Sequence, residues 1–195
     1  MLLGREAPDF RAVACMPNDS FAELRLSELR GKKYVVLLFY TADFSFVDAT
    51  ELVAFSKQIN DFDKRGAQVI AISTESQFAH RGWRNTAKAS GGIEKIAYPM
   101  VSDVSKEIST AYEILGDSAL SYHGTFIIDK GGIVRFEMKN DISIGRSTDE
   151  CIRILDALQH YENTGRVVPV NWTKGKPDMA GTPEGVAEYM HKYLT

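Results

Sequence analysis

Seven consecutive residues, Tyr34 to Tyr40, are all apolar or aromatic, and Val35 and Val36 are β-branched. A run of that length and type, closed by the polar Thr41, predicts a strand buried on both faces, so it belongs in the middle of an α/β sheet rather than at its rim. After the turn, Leu52, Val53, Phe55, Ile59 and Phe62 recur at helical spacing, and an amphipathic helix is expected from Thr50 to about Arg65. A central strand that runs through a short loop into a helix puts that loop at the carboxyl end of the sheet, where open α/β folds hold their ligands.

The remaining pattern is read around that centre. A short strand or hairpin is expected over Phe10 to Phe21, turning at Pro17 to Ser20, then a short helix from Leu24 to Arg30 that Gly31 stops. Ala67 to Ser73 reads as a second buried strand, Ser76 to Thr86 as a helix, and Ser105 to Tyr112 as another. Gly124 to Asp129 and Ile133 to Met138 read as two strands joined at Gly131 and Gly132. Ser147 and Glu150 have the spacing of a capping box, which predicts a helix from Thr148 to about Tyr161. From Gly165 the chain becomes extended and Pro/Gly-punctuated, and a last helix is expected over Pro183 to Tyr193. Val170, Trp172 and that helix need a surface to bury against. The expectation is a main domain over residues 1–164 and an arm, 165–195, that reaches across a partner subunit.

A net charge of −3 and a pI near 5.8, with Lys and Arg scattered, give no electrostatic reason to expect nucleic acid or an anionic membrane as partner. The first ten residues hold no basic segment leading into an apolar stretch of signal length, and no apolar run approaches a bilayer span, so a cytoplasmic protein is expected. The chain has two cysteines, Cys15 and Cys151, in no metal-ligand or framework spacing. Cys151 lies on the apolar side of a predicted helix and reads as an inert buried thiol. Cys15, near a hairpin edge, is the candidate reactive thiol.

The segment from Phe39 to Glu51 resembles the active-site segment of the peroxiredoxins, in the alkyl hydroperoxide reductase C and thiol-specific antioxidant (typical 2-Cys) branch, whose pattern is Pro-x-x-x-Thr/Ser-x-x-Cys-Pro-Thr-Glu. Asp43, Phe44, Phe46, Val47, Thr50 and Glu51 match it, with Ser45 as an allowed hydroxyl. The resemblance extends from Ala7 to Met190. It implies a thioredoxin-like α/β fold, a central mixed sheet flanked by helices with an extended C-terminal arm. It also implies an arm-exchanged homodimer, in many members a ring of five dimers, and no cofactor. The positions that carry the family's chemistry differ together. Asp48 stands at the peroxidatic cysteine, Thr41 at the loop proline, Ala49 at the proline after the cysteine, His123 at the pocket arginine and Val168 at the resolving cysteine. So many replacements fit divergence better than one engineered change.

A carboxylate is a poor nucleophile toward peroxide oxygen and has no sulfenic acid state, so loss of thiol peroxidase activity is expected. The degenerate pocket then comprises Thr41, Ser45, Asp48, Glu51 and His123. Its plain reading is Asp48 as an N-terminal helix residue, held by first-turn amides, and His123 paired to Glu51. A metal or acid–base site from Asp48, Glu51 and His123 is the sharper rival. The expected role is a binding or oligomeric module, with an active paralogue or a client protein as a further partner. The enzymatic alternative is peroxide reduction through Cys15 or an external thiol.

Overall fold

The computed structural model describes residues 1–194, which fall into two compact units, Met1–Thr148 and Asp149–Thr195. In the first, seven strands form one mixed sheet in the order β2-β1-β5-β4-β3-β6-β7. Its strands are β1 (Arg11–Cys15), β2 (Phe21–Arg25), β3 (Tyr34–Phe39), β4 (Ala67–Ser73), β5 (Met100–Ser102), β6 (His123–Ile128) and β7 (Val134–Asn140). The β3 run is central as expected: it pairs parallel with β4 and antiparallel with β6, and all six of its residues are buried. The expected span of β4 coincides with the observed one, because a short apolar run flanked by Gly66 and a polar Ser-Thr-Glu turn leaves little choice of ends.

Four helices accompany the sheet: α1 (Phe46–Lys57), α2 (Ile59–Lys64), α3 (Gln77–Arg84) and α4 (Glu107–Ala111). The single helix expected from Thr50 to Arg65 is corrected in two ways. It begins at Phe46, one turn earlier, and it breaks at Gln58, whose backbone at φ −98° and ψ 12° leaves the α region. The apolar pattern shows neither event, since it has no residue in the first turn that must be buried apart from Asp48. The helix expected over Leu24 to Arg30 is a 3-10 turn, Leu26–Leu29, because Leu24 and Arg25 are drawn into β2 opposite Ala12 and Arg11.

The hairpin β1–β2 turns where Pro17 to Ser20 indicate. However, β1 is not an edge strand: it pairs with β2 on one side and β5 on the other. That placement corrects the expectation that Cys15 lies near a hairpin edge. Cys15 sits opposite Phe21 and Met100 and is fully buried.

The second unit holds α5 (Thr148–Thr164, whose first residue closes the first unit), an extended segment and α6 (Pro183–Tyr193). Within it, α5 carries the extended segment. Arg153 Nη1 donates to the Trp172 carbonyl at 3.1 Å, and His160 Nε2 lies 2.6 Å from Asp178 Oδ2. Trp172 is 2% exposed; its indole N–H donates to the Lys176 carbonyl and its ring lies 5.0 Å from that of His160. The arm's tryptophan is therefore buried by its own chain. The Glu150 carboxylate, read as one half of a capping box, takes Arg153 with both oxygens, at 2.6 and 2.7 Å. The expected span of α6 is observed, with Pro183 at its first position and Thr182 accepting from the Gly185 amide.

Candidate functional site

The loop between β3 and α1 opens at Tyr40, where the central strand ends. The Tyr40 hydroxyl donates to Asp43 Oδ1 at 2.7 Å, and Asp43 in turn meets Nδ1 of the buried His80 at 2.9 Å. His80 comes from α3, and its Nε2 lies 3.2 Å from the Val101 carbonyl. Between these anchors Phe44 is forced to φ 62°, a left-handed conformation that costs a bulky residue on the order of 1–3 kcal/mol and persists only where its surroundings impose it. Ser45, whose hydroxyl donates to the Ala42 carbonyl at 2.7 Å, then starts α1.

Asp48 lies in the first turn of α1 and is 1% exposed. Its carboxylate points back to the end of β3. Oδ2 accepts from the Thr41 hydroxyl and the Ser45 hydroxyl, both at 2.5 Å, and from the Thr41 amide at 3.3 Å. Oδ1 faces Nε2 of His123 at 2.7 Å as an ion-pair contact, and neither atom meets hydrogen-bond geometry with any partner among the described residues. The reading of Asp48 as a residue held by helix amides is thus corrected: its donors are two hydroxyls and the loop amide of Thr41, with the His123 imidazole as its ion-pair partner. Burial alone pushes the Asp48 carboxyl up, but His123, Ser45 and Thr41 outweigh it and hold the group below its ordinary value. For His123, burial pushes the imidazole down, and Asp48 with Glu51 outweighs it, so the net shift is upward.

The expected pairing of His123 with Glu51 is present as a long ion-pair contact: Nδ1 is 3.8 Å from Glu51 Oε1, too far for a hydrogen bond. Glu51 belongs to Arg146, whose amide donates to Oε1 at 2.6 Å and whose Nε and Nη2 reach Oε2 at 3.0 and 2.5 Å. Arg146 Nη1 also donates to the Phe39 and Gly124 carbonyls, both at 2.9 Å, tying the ends of β3 and β6 to α1. The structure therefore brings together Thr41, Ser45, Asp48, Glu51 and His123. It adds Arg146, and His80 at the loop's far side. Val168 lies in the second unit, half-buried.

Asp48, Glu51 and His123 each offer a ligand atom within 4.8 Å of the others. The donor set does not favour a cation. Both Glu51 oxygens and Oδ2 of Asp48 are already taken by donors, and Arg146 places a fixed positive charge beside them. The two remaining atoms, Oδ1 and Nε2, approach at 2.7 Å, whereas ligands of a tetrahedral ion sit about 3.3 Å apart. Glu51 already has the Arg146 guanidinium as its counter-ion, and Asp48 faces the His123 imidazole. An open cavity of about 460 Å³, lined by Val53, Lys57, Ile93, Lys95 and their neighbours, includes none of the site residues.

Cys15 and Cys151 are both buried and neither is in a disulfide, and burial pushes the Cys15 thiol up, away from the thiolate.

The AhpC/TSA family model matches residues 3–137, and the model of the C-terminal domain of 1-Cys peroxiredoxin matches residues 157–192. Alkyl hydroperoxide reductase C of Helicobacter pylori is 43% identical over 191 residues, 97% of this chain and 96% of that one. A reduced 2-Cys peroxiredoxin from Plasmodium vivax superimposes with a TM-score of 0.97 at 42% identity, covering 98% of this chain and 99% of that one. A Plasmodium yoelii Prx1a, modified at its N-terminus and described as forming an artifactual octamer, superimposes with a TM-score of 0.80 at 39% identity over 89% of this chain and all of that one.

Proposed function

The chain belongs to the AhpC/TSA family of peroxiredoxins, and we propose that within it this protein is a thiol-peroxidase-deficient member that serves as an oligomeric binding scaffold. The observation that carries this reading is Asp48. At the position where the family pattern has its cysteine stands a buried carboxylate whose oxygens are occupied by Thr41, Ser45 and His123. A thiol peroxidase needs a thiolate that attacks the O–O bond, becomes sulfenic acid and is reduced again by a second thiol. No carboxylate passes through that cycle. The alternative nucleophile, Cys15, weighs little, being sealed between β2 and β5 and raised away from its thiolate form. The reading is tested by peroxide consumption with a dithiol reductant, which is expected to stay at the rate of the buffer.

A homo-oligomeric role is supported by aromatic residues that the first unit leaves in solvent. Phe46 is 91% and Phe78 61% exposed, with Phe44 and Tyr122 also uncovered. Such residues concentrate at interfaces, where they contribute large contact areas at small entropic cost. In the second unit, α6 has no buried residue and carries Val186, Met190 and Tyr193 on its exposed surface. An arm-exchanged dimer, and a ring of five such dimers, would cover both sets. Replacing Phe46 by glutamate is expected to reduce the sedimentation coefficient to that of a smaller species at micromolar concentration. An unchanged coefficient would remove Phe46 from the interface. Among the described residues no helix is long and apolar enough to cross a membrane, and we place the protein in the cytoplasm, pairing there with an active paralogue or a client.

A further inference from the structure

The ring of His123 lies between oxygen atoms on both sides. Nε2 meets Asp48 Oδ1 at 2.7 Å, and Nδ1 meets the Ile144 carbonyl at 3.4 Å with Glu51 Oε1 behind it at 3.8 Å. A neutral imidazole has one N–H, so either tautomer turns a bare lone pair toward an oxygen. Only the imidazolium presents an N–H to both sides. It also balances the charges that face it: Asp48 and Glu51 from α1, Arg146 from the segment before α5, and exposed Asp141 after β7.

We propose that the proton on His123 is a latch that holds the loop from Thr41 to Ser45 and the first turn of α1 in place. With the proton, the two buried carboxylates are each matched by a cation. Without it, Asp48 keeps its charge in a site that is almost fully enclosed, and the lone pair on one ring nitrogen faces an oxygen. The segment best able to relieve this is the one that carries Asp48. That segment already stores strain at Phe44, and its other end is pinned separately by Tyr40, Asp43 and His80. Opening it would displace Phe44 and Phe46, so the latch governs which aromatic surface the molecule presents. The latch does not depend on whether the chain turns over peroxide.

The test is amide hydrogen exchange of residues 42–48 between pH 6 and 9, expressed as protection so that intrinsic rates cancel. One proton bound more tightly by the closed form makes opening about tenfold easier per pH unit, starting above the ordinary histidine value of 6.5 and levelling off past the raised value in the fold. His123→Arg supplies a permanent cation, and its protection is expected to be flat with pH. Protection that is flat in the unaltered protein, or that falls equally in His123→Arg, would overturn the proposal. Ring-nitrogen NMR of the unaltered protein at pH 7 gives an answer whether or not the variant folds. Both His123 nitrogens are expected to be protonated, and a neutral-ring signature would contradict the latch. Added Zn²⁺ is expected to leave the melting temperature unchanged. A rise that His123→Arg abolishes would assign the site to a cation and overturn the proposal.

Discussion

Replacing Arg146 by methionine is expected to lower the stability of the protein by about 3–5 kcal/mol, because it leaves Glu51 charged and buried with no counter-ion. For a chain of this size that corresponds to a fall in melting temperature of roughly 6–20 °C. The loss exceeds that of an ordinary ion pair because the side chain is fully buried and ties three elements together. Its guanidinium holds Glu51 of α1, the carbonyl that ends β3 and a carbonyl in β6. Lysine at 146 keeps the charge but not the forked donors, and an intermediate loss is expected. Methionine at both 146 and 51 removes the stranded charge along with its partner, and most of the stability is expected to return, apart from the two carbonyls left without a donor. Denaturant titration of the four proteins reads these differences. A loss below about 1 kcal/mol for Arg146→Met would mean that Glu51 is solvated in solution.

The second large effect is the pH profile of Asp48→Asn. Asp48 is held below its ordinary value of 3.8, so its contribution to stability is present above that value and is lost as pH falls through the lower one in the fold. His123 is held above its ordinary value of 6.5, so its contribution is complete below 6.5 and is lost as pH rises through the raised value. The pair therefore stabilises most between about pH 4 and 6.5. In Asp48→Asn the imidazolium loses its counter-ion, and a deficit of about 3 kcal/mol is expected in that window. The deficit should shrink toward alkaline pH, where the unaltered protein gives up the same interaction. A difference between the two proteins that does not vary with pH would show that Asp48 acts by shape and hydrogen bonding alone.

Much of this architecture is legible in the residues, and the parts that are not have physical reasons. The β3 and β4 runs declare themselves because strands buried on both faces leave no polar alternation to misread. The last helix is bounded by Thr182 and Pro183, whose capping and φ preference act locally. The start of α1 was hidden because its first turn exposes Phe46 and buries Asp48, the reverse of what an amphipathic pattern predicts. The burial of Cys15 is not legible locally, because whether a strand is an edge depends on its neighbour β5, far along the chain and silent in local composition.

At the site, the convergence of Asp48, Glu51 and His123 follows from a strand–loop–helix unit next to β6. The identity of each pair does not. Arg146 fixes a loop through five bonds, three to the Glu51 carboxylate and two to main-chain carbonyls, which no side-chain pattern marks. His80, which no side-chain pattern marks either, holds Asp43. In both cases the useful signal is a basic or imidazole side chain on an element that must be buried, which obliges the fold to supply acceptors.

The central claim is that the buried charge pair of Asp48 and His123 has taken the place of a peroxide-reducing thiol. Its most direct test is steady-state hydrogen peroxide consumption with a thioredoxin-type reductant, measured on the unaltered chain beside Cys15→Ser and Cys151→Ser. The account predicts the rate of the buffer in all three. Turnover in the unaltered chain that disappears in Cys15→Ser would contradict it and make Cys15 the nucleophile, and turnover that survives both replacements would contradict it through chemistry that uses no cysteine.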